Sequence, residues 1–319
     1  MAKSRNGPPL KNGFVNLYKP VGITSMEALR QVKRITSQRN KVGHGGTMDP
    51  LAQGVLPVCF GQATRLMDFV VSGRKRYRME VTLGVSTTTY DAEGEIVNTM
   101  SVDGITQEHV ERALPPFVGN IDQLPPVYSA LKVQGQRMYK LARAGVEVDR
   151  KPRPVEIYDI RLLEFDLPKL VLEVDCGKGA YMRSLAHDLG ETLGCGGHVV
   201  DLIRLSTGRF HADDSITPLQ LEEAVTEVGG WEKHLHPVDW VLKELRSISV
   251  GKQAENLLRN GQAVSLGPQF MDAAYLEPFR AYSSEGRFFA LVRFERPANS
   301  WRPVKVFQLD DPSPLAPDT

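Results

Sequence analysis

Apolar residues recur along this chain with two different periods. Met79, Val81 and Leu83 alternate with polar residues, and so do Leu170, Leu172, Val174 and Cys176. A period of two puts one face of a strand on a core and the other in water, so both segments predict half-buried strands. The run FVNLYKP from Phe14 predicts a shorter strand that Pro20 ends. Met26, Leu29, Val32 and Ile35 then return at near-helical spacing behind Ser25, whose hydroxyl suits a helix N-cap. Further helices are predicted from near Thr106 and over Met182, Leu185, Ala186, Leu189 and Leu193, the second stopped by Gly194. Thr217-Pro218-Leu219-Gln220 combines a capping hydroxyl, a proline at the first helical position and a glutamine that closes a capping box. The glycine-rich stretch from Val42 to Gly46 predicts a loop.

Strands and helices mix without the steady alternation of a doubly wound sheet, which predicts an α+β fold with a mixed, largely antiparallel central sheet. Residues 12–245 form the main unit. Within it, residues 124–153 carry two prolines, an aromatic and basic run and then KPRPV, the texture of a thumb-like functional excursion from a core. After Trp240 the helical pattern fades, and 246–308 predict a small, mostly β module. A basic tail, 1–11, is expected to be disordered, and an acidic, proline-rich tail covers 309–319.

Composition narrows the classes. A hydrophobic share of 41% with 24% charged residues is that of an ordinary globular protein with a substantial core. The N-terminus lacks an apolar leader, and no stretch approaches the roughly 18 apolar residues of a membrane span, so a cytoplasmic protein away from membranes is expected. Cys59, Cys176 and Cys195 lie far apart beside apolar or glycine residues and are expected as buried thiols. His234 and His236 have no third ligand in the sequence, so no metal site is expected. The net charge of +1 hides an asymmetry: residues 1–160 hold 22 Lys and Arg against 15 Asp and Glu, and residues 161–319 hold 17 against 23. Cations cluster at Lys33, Arg34, Arg39 and Lys41, at Arg74, Lys75, Arg76 and Arg78, and from Lys132 to Arg153. A polyanion partner needs such clusters, although a solvated face produces them too.

The densest chemistry lies in GHGGTMDPLAQGVLPVCFGQATRL, Gly43 to Leu66. Pro50 biases Asp49 away from helical geometry, and the glycines let backbone come close to it. Taken alone, the stretch is equally the description of a tight Asx-type turn. Over its whole length, however, it resembles the signature of the TruB family of tRNA pseudouridine synthases, in which a G-H-x-G-T-L-D-P-x-A-x-G-x-L run carries the catalytic aspartate. Segments 12–25, 75–94, 125–143, 176–195 and 197–208 resemble the same family in the same order. The chain departs from the family pattern at Met48, Tyr18 and Ala180.

The resemblance implies a pseudouridine-synthase fold, a PUA-like RNA-binding domain over 246–308, and isomerisation of the uridine at position 55 in the tRNA T-arm. It makes Asp49 the catalytic carboxylate, Tyr77 the aromatic that stacks on the target base, and Arg183 the ion-pair partner of Asp49. His44, Tyr181 and Leu202 match further pocket positions, and Lys132, Arg137, Lys140 and Arg143 fit a thumb that closes on RNA. The reaction breaks one bond and forms another with no atom entering or leaving, so no cofactor is expected, and the expected species is a monomer. An adjacent guanidinium is expected to depress the pKa of Asp49. Three other readings compete: a non-catalytic tRNA-binding or tRNA-folding protein, a guide-RNA-dependent synthase subunit, and a glycosidase, which would need a second carboxylate about 5 Å away.

Overall fold

In a computed structural model of the chain, residues 9–129, 131–133, 135–138, 141, 146, 149–266 and 272–317 are described. The central sheet runs in the order β1 (Gly13–Lys19), β3 (Ala52–Phe60), β12 (Gly197–Thr207), β4 (Lys75–Leu83), β11 (Lys169–Cys176), β10 (Arg153–Asp166) and β7 (Gly119–Gln123). β2 (Val42–His44) joins it on β3, and β13 (Phe210–His211) on β12. Every pairing is antiparallel except β3 with β12, which run parallel with Ala52 opposite Leu202 and Gly54 opposite Arg204. Two short hairpins, β5 (Val85–Thr87) with β6 (Ile96–Thr99) and β8 (Lys132–Val133) with β9 (Gln136–Arg137), stand off this sheet. The α+β class and the mixed, largely antiparallel sheet are therefore as expected.

Strand burial follows the patterning. Along β4 the apolar Met79, Val81 and Leu83 are buried and alternate with the half-buried Glu80 and Thr82, while Arg76 and Arg78 at the start of the strand are exposed. β3 reads instead, from Gly54 to Phe60, as an unbroken buried run, the sign of a strand covered on both faces. One face packs under α1 (Ser25–Ile35), α4 (Met182–Thr192) and α5 (Pro218–Ala224) in a core that includes Leu29, Val32, Leu56, Val58, Leu185 and Leu189. The other face, through Val55 and Cys59, meets Phe14, Phe210, Val238 and Leu242 together with Tyr282, Phe288 and Phe307.

Tyr282 and Phe288 belong to, and Phe307 directly follows, a C-terminal four-stranded sheet in the order β14 (Ser247–Val250), β15 (Pro278–Ser283), β16 (Phe288–Glu295) and β17 (Ser300–Val306). It has its own core around Phe279, Phe289 and Trp301, under α6 (Lys252–Arg259). The Tyr282 hydroxyl donates to the buried Asp239 carboxylate at 2.5 Å. The Ser313 hydroxyl, from the tail, donates to the same carboxylate at 2.7 Å.

Local readings needed two corrections. The N-cap of α1 is Thr24, which forms a capping box with Glu27, and not Ser25. The stretch from Val42 was expected to be a loop, yet Val42–His44 pair with Phe60, Cys59 and Val58 as β2. The start of α3 (Gln107–Ala113) at Thr106 and the capping box of α5 at Thr217 are as predicted. All three cysteines are buried free thiols. Among the described residues, no helix is long and apolar enough to cross a membrane.

Candidate active site

The loop between β2 and β3 carries Asp49 to the middle of the sheet, where β3, β12 and β4 lie side by side. It is pinned from three directions. The Lys19 ammonium, with no exposed surface, donates to the carbonyls of Ile23 at 2.7 Å and Pro20 at 2.9 Å, and to that of Pro50 at 3.4 Å. The Ser25 hydroxyl accepts from the Met48 amide at 2.8 Å, which explains why it does not cap the helix. From β12, Arg204 donates to the Gly46 carbonyl at 3.2 Å. The loop is therefore a held structure, and Asp49 is aimed.

Arg183, in the first turn of α4, sits 2.9 Å from Asp49 through Nε and 3.3 Å from the buried Asp91 through Nη1. Its other contacts are the carbonyls of Thr89 at 3.2 Å and Tyr128 at 2.7 Å. One guanidinium thus serves two carboxylates and ties the β5–β6 hairpin and the start of the 124–153 excursion to the site. The Asp49 side chain keeps 35% of its surface, where it faces the cavity.

The balance on Asp49 differs from the expected depression. Burial raises its pKa above the ordinary carboxylate value, Arg183 and Lys19 pull it down, Asp91 pushes it up, and the net direction is upward. A guanidinium shared with a second carboxylate compensates each only in part. Lys19 and Lys75 move the other way, lowered to about 8 by burial above all. Lys75 donates to the carbonyls of Val71 and Gly73 at the end of α2 (Met67–Ser72), so it closes a helix terminus at the pocket wall.

A cavity of about 230 Å³ opens over Asp49, with Tyr77, Tyr181, Leu202, Arg183 and Arg204 among its lining residues. Tyr77 projects from β4, and burial raises its phenol pKa while Arg204 opposes that rise by charge and a hydrogen bond. Tyr181 precedes α4, and its backbone is fixed by Gln123 at 2.7 and 2.9 Å. His44 does not line the cavity; burial first and Arg204 second lower its pKa, so it is held neutral behind the loop. Met48 is buried in the core, Ala180 lines the cavity, and the Tyr18 hydroxyl donates to Gln53 on β3 at 3.1 Å. Lys140 and Arg143 lie outside the described residues, and for Lys132 and Arg137 only the backbone of the β8–β9 hairpin is described.

Sequence reasoning brought together Asp49, Tyr77, Arg183, Tyr181 and Leu202, and the structure gathers all five around one cavity. It missed Lys19, Ser25's second role, Asp91 and Arg204. A signal existed for Arg204, a lone cation within the apolar strand GHVVDLIRLST.

Asp49, sharing the buried guanidinium of Arg183 with Asp91 and lying beside the half-buried ring of Tyr77, forms a candidate active site in a cavity on this sheet. The model of the TruB family pseudouridylate synthase N-terminal domain matches residues 33–182, and that of the tRNA pseudouridylate synthase B C-terminal domain matches 183–243. The protein named tRNA pseudouridine synthase B of Dehalococcoides mccartyi is 44% identical over 296 residues, covering 93% of this chain and 96% of its own length. A protein of that name from Nitrosococcus oceani is 46% identical over 254 residues, covering 79% of this chain and 82% of its own. This chain belongs to the TruB family of pseudouridylate synthases. In fold it also resembles a chain of the Cbf5-Nop10-Gar1 complex, with a TM-score of 0.69 at 23% identity, over 100% of this chain and 96% of that one.

Proposed function

We propose that this protein isomerises one uridine of tRNA, position 55 in the T-arm, to pseudouridine, with Asp49 as its catalytic carboxylate. The observation that carries the reading is the Asp49–Arg183 pair at 2.9 Å on the floor of a cavity walled by Tyr77. Extended relatives above 40% identity named for the same reaction on tRNA support the substrate.

The reaction breaks the N1–C1′ bond, turns the uracil while it stays bound and joins C5 to C1′. A uridine inside a folded arm must first leave its stack, at a cost of roughly a few kcal/mol. Stacking on Tyr77 returns about 1–3 kcal/mol of that. An ionised Asp49 is then in place as nucleophile or base, with Arg183 keeping the charge in a walled site. Tyr181 and Leu202 shape the pocket around the base, and His44 supports the loop from behind. RNA outside the pocket is held by phosphate contacts, from Lys132, Arg137, Lys140 and Arg143 in the excursion and from Lys33, Arg34, Arg39 and Lys41 beside α1. The side chains of that second set make no ion pair or hydrogen bond among the described residues, which leaves their charge available to phosphate. We read the protein as a monomer that works in the cytoplasm on naked tRNA, without a guide RNA.

The test is tritium release from C5-labelled uridine in a tRNA transcript, with the purified chain alone and its Asp49→Asn variant. Turnover by the wild type and none by the variant is expected. A wild type that binds the transcript without releasing tritium overturns the enzymatic reading, and modification mapped elsewhere overturns position 55. Release of free uracil identifies a glycosidase instead.

A further inference from the structure

Arg204 is 1% exposed, lines the cavity and makes no ion pair among the described residues. A buried guanidinium without a carboxylate is costly to keep, so its contacts bear examination. Nε donates to the Val55 carbonyl on β3 at 2.6 Å and Nη2 to the Gly46 carbonyl at 3.2 Å, three residues before Asp49. Arg204 is also the cross-strand partner of Tyr77, where its charge and a side-chain hydrogen bond favour the Tyr77 phenolate. The fork of one guanidinium therefore reaches the core strand, the Asp49 loop and the ring of Tyr77.

Two glycines of the Asp49 stretch make room for it. A Cβ on Gly54 would fall 2.3 Å from the Arg204 carbonyl oxygen and 2.9 Å from its nitrogen, and one on Gly46 would fall 3.4 Å from Nη1. Both glycines have positive φ, +107° and +106°. At Gly54 the close approach is to the backbone of β12 at Arg204, and at Gly46 it is to the guanidinium at ordinary contact distance.

We propose that Arg204 is a positioning residue for the isomerisation, fixing the ring of Tyr77 against the Asp49 loop so that the base stacked on the one stays in register with the carboxylate of the other. A tyrosine anchored only by its backbone turns about its side-chain bonds. Anchored also at the hydroxyl, its ring keeps one plane. RNA affinity resides in phosphate contacts outside the pocket and does not depend on that plane, whereas the chemical step does. The proposal rests on the roles assigned above to Asp49 and Tyr77.

Arg204→Gln removes the charge and the fork, and Arg204→Lys restores the charge alone. Under single turnover on a tRNA transcript, Arg204→Gln is expected to lose about a hundredfold in rate, the scale of a 1 Å misplacement, and Arg204→Lys about tenfold. Filter binding is expected to give dissociation constants within about threefold of wild type for both. A second measurement does not need turnover. Ultraviolet difference titration, each protein minus its Tyr77→Phe counterpart, reports ionisation of the Tyr77 phenol, which is expected to move to higher pH in Arg204→Gln because the donor and charge favouring the phenolate are gone. A rate loss matched by lost RNA affinity or by lost folded protein in thermal unfolding overturns the proposal, as does an unmoved phenol titration. If the wild type fails on tRNA, the proposed function falls, while the titration still decides whether Arg204 governs Tyr77.

Discussion

The molecule holds two triads of aspartate and arginine that are inverted copies of each other in stoichiometry. In the cavity, Arg183 serves both Asp49 and Asp91, at 2.9 and 3.3 Å. On the open face of the sheet, Asp175 is served by both Arg74 and Arg76, at 3.0 and 2.8 Å. Burial raises both Asp49 and Asp175. For Asp175 the hydrogen bonds and charges of two arginines win and its pKa falls, whereas Asp49 with a shared arginine stays raised. One arrangement saturates a carboxylate and makes it structural. The other leaves a carboxylate undercompensated and open to a cavity, where its charge can be used.

The difference can be broken from either side. Asp49→Asn is expected to cost on the order of 10⁴-fold in turnover with tRNA binding retained, measured by tritium release and filter binding. A comparable loss from Asp175→Asn would erase the distinction. Next in size, replacing Lys33, Arg34 and Lys41 together by Glu is expected to weaken tRNA binding by about 10- to 100-fold, with a shallower salt dependence, because these cations have no carboxylate partner among the described residues. Asp91→Asn is expected to cost about tenfold in rate at neutral pH, because Arg183 loses an anchor. It also removes a charge that raises Asp49, so the acid limb of the pH–rate profile moves to lower pH; a limb that moves up refutes the shared-arginine account. Smallest, Arg76→Gln is expected to destabilise by about 1 kcal/mol in denaturant unfolding and leave turnover unchanged. Since the pKa of Asp175 is depressed by folding, that stabilisation is present above the unfolded carboxylate value and is lost as pH falls through the folded one. The gap between the two proteins therefore closes below about pH 4.

How much was legible follows from distance along the chain. β4 and β11 were readable because their alternation is local, and so were the helix start near Thr106 and the cap at Thr217. β2 was read as a loop because its ladder partners, Val58 to Phe60, lie beyond the glycines that suggested one. The parallel pairing of β3 with β12 joins Ala52 to Leu202, and nothing near either residue announces it. The same holds for charge. Arg74, Arg76 and Arg78 looked like a phosphate-binding cluster, but Asp175 and Glu164, 101, 99 and 86 residues on, neutralise them. Asp49, Tyr77 and Arg183 were found because they stand in an ordered set of motifs. Lys19, Asp91 and Arg204 were not, since each is buried and acts through partners that the fold gathers, backbone carbonyls for Lys19 and Arg204 and the Arg183 guanidinium for Asp91.

The apolar face of β1 and β3 that carries Phe14, Val55 and Cys59 has a practical meaning for anyone wishing to pare this protein down. Its cover includes Tyr282, Phe288 and Phe307, with Asp239 bonded to Tyr282 and Ser313 at the joint. A chain cut before residue 246 would keep every residue around Asp49 and still present that face bare to water. Such a fragment is a recipe for precipitation, and a minimal catalyst built from this scaffold would need a redesigned back wall before it needed a redesigned pocket.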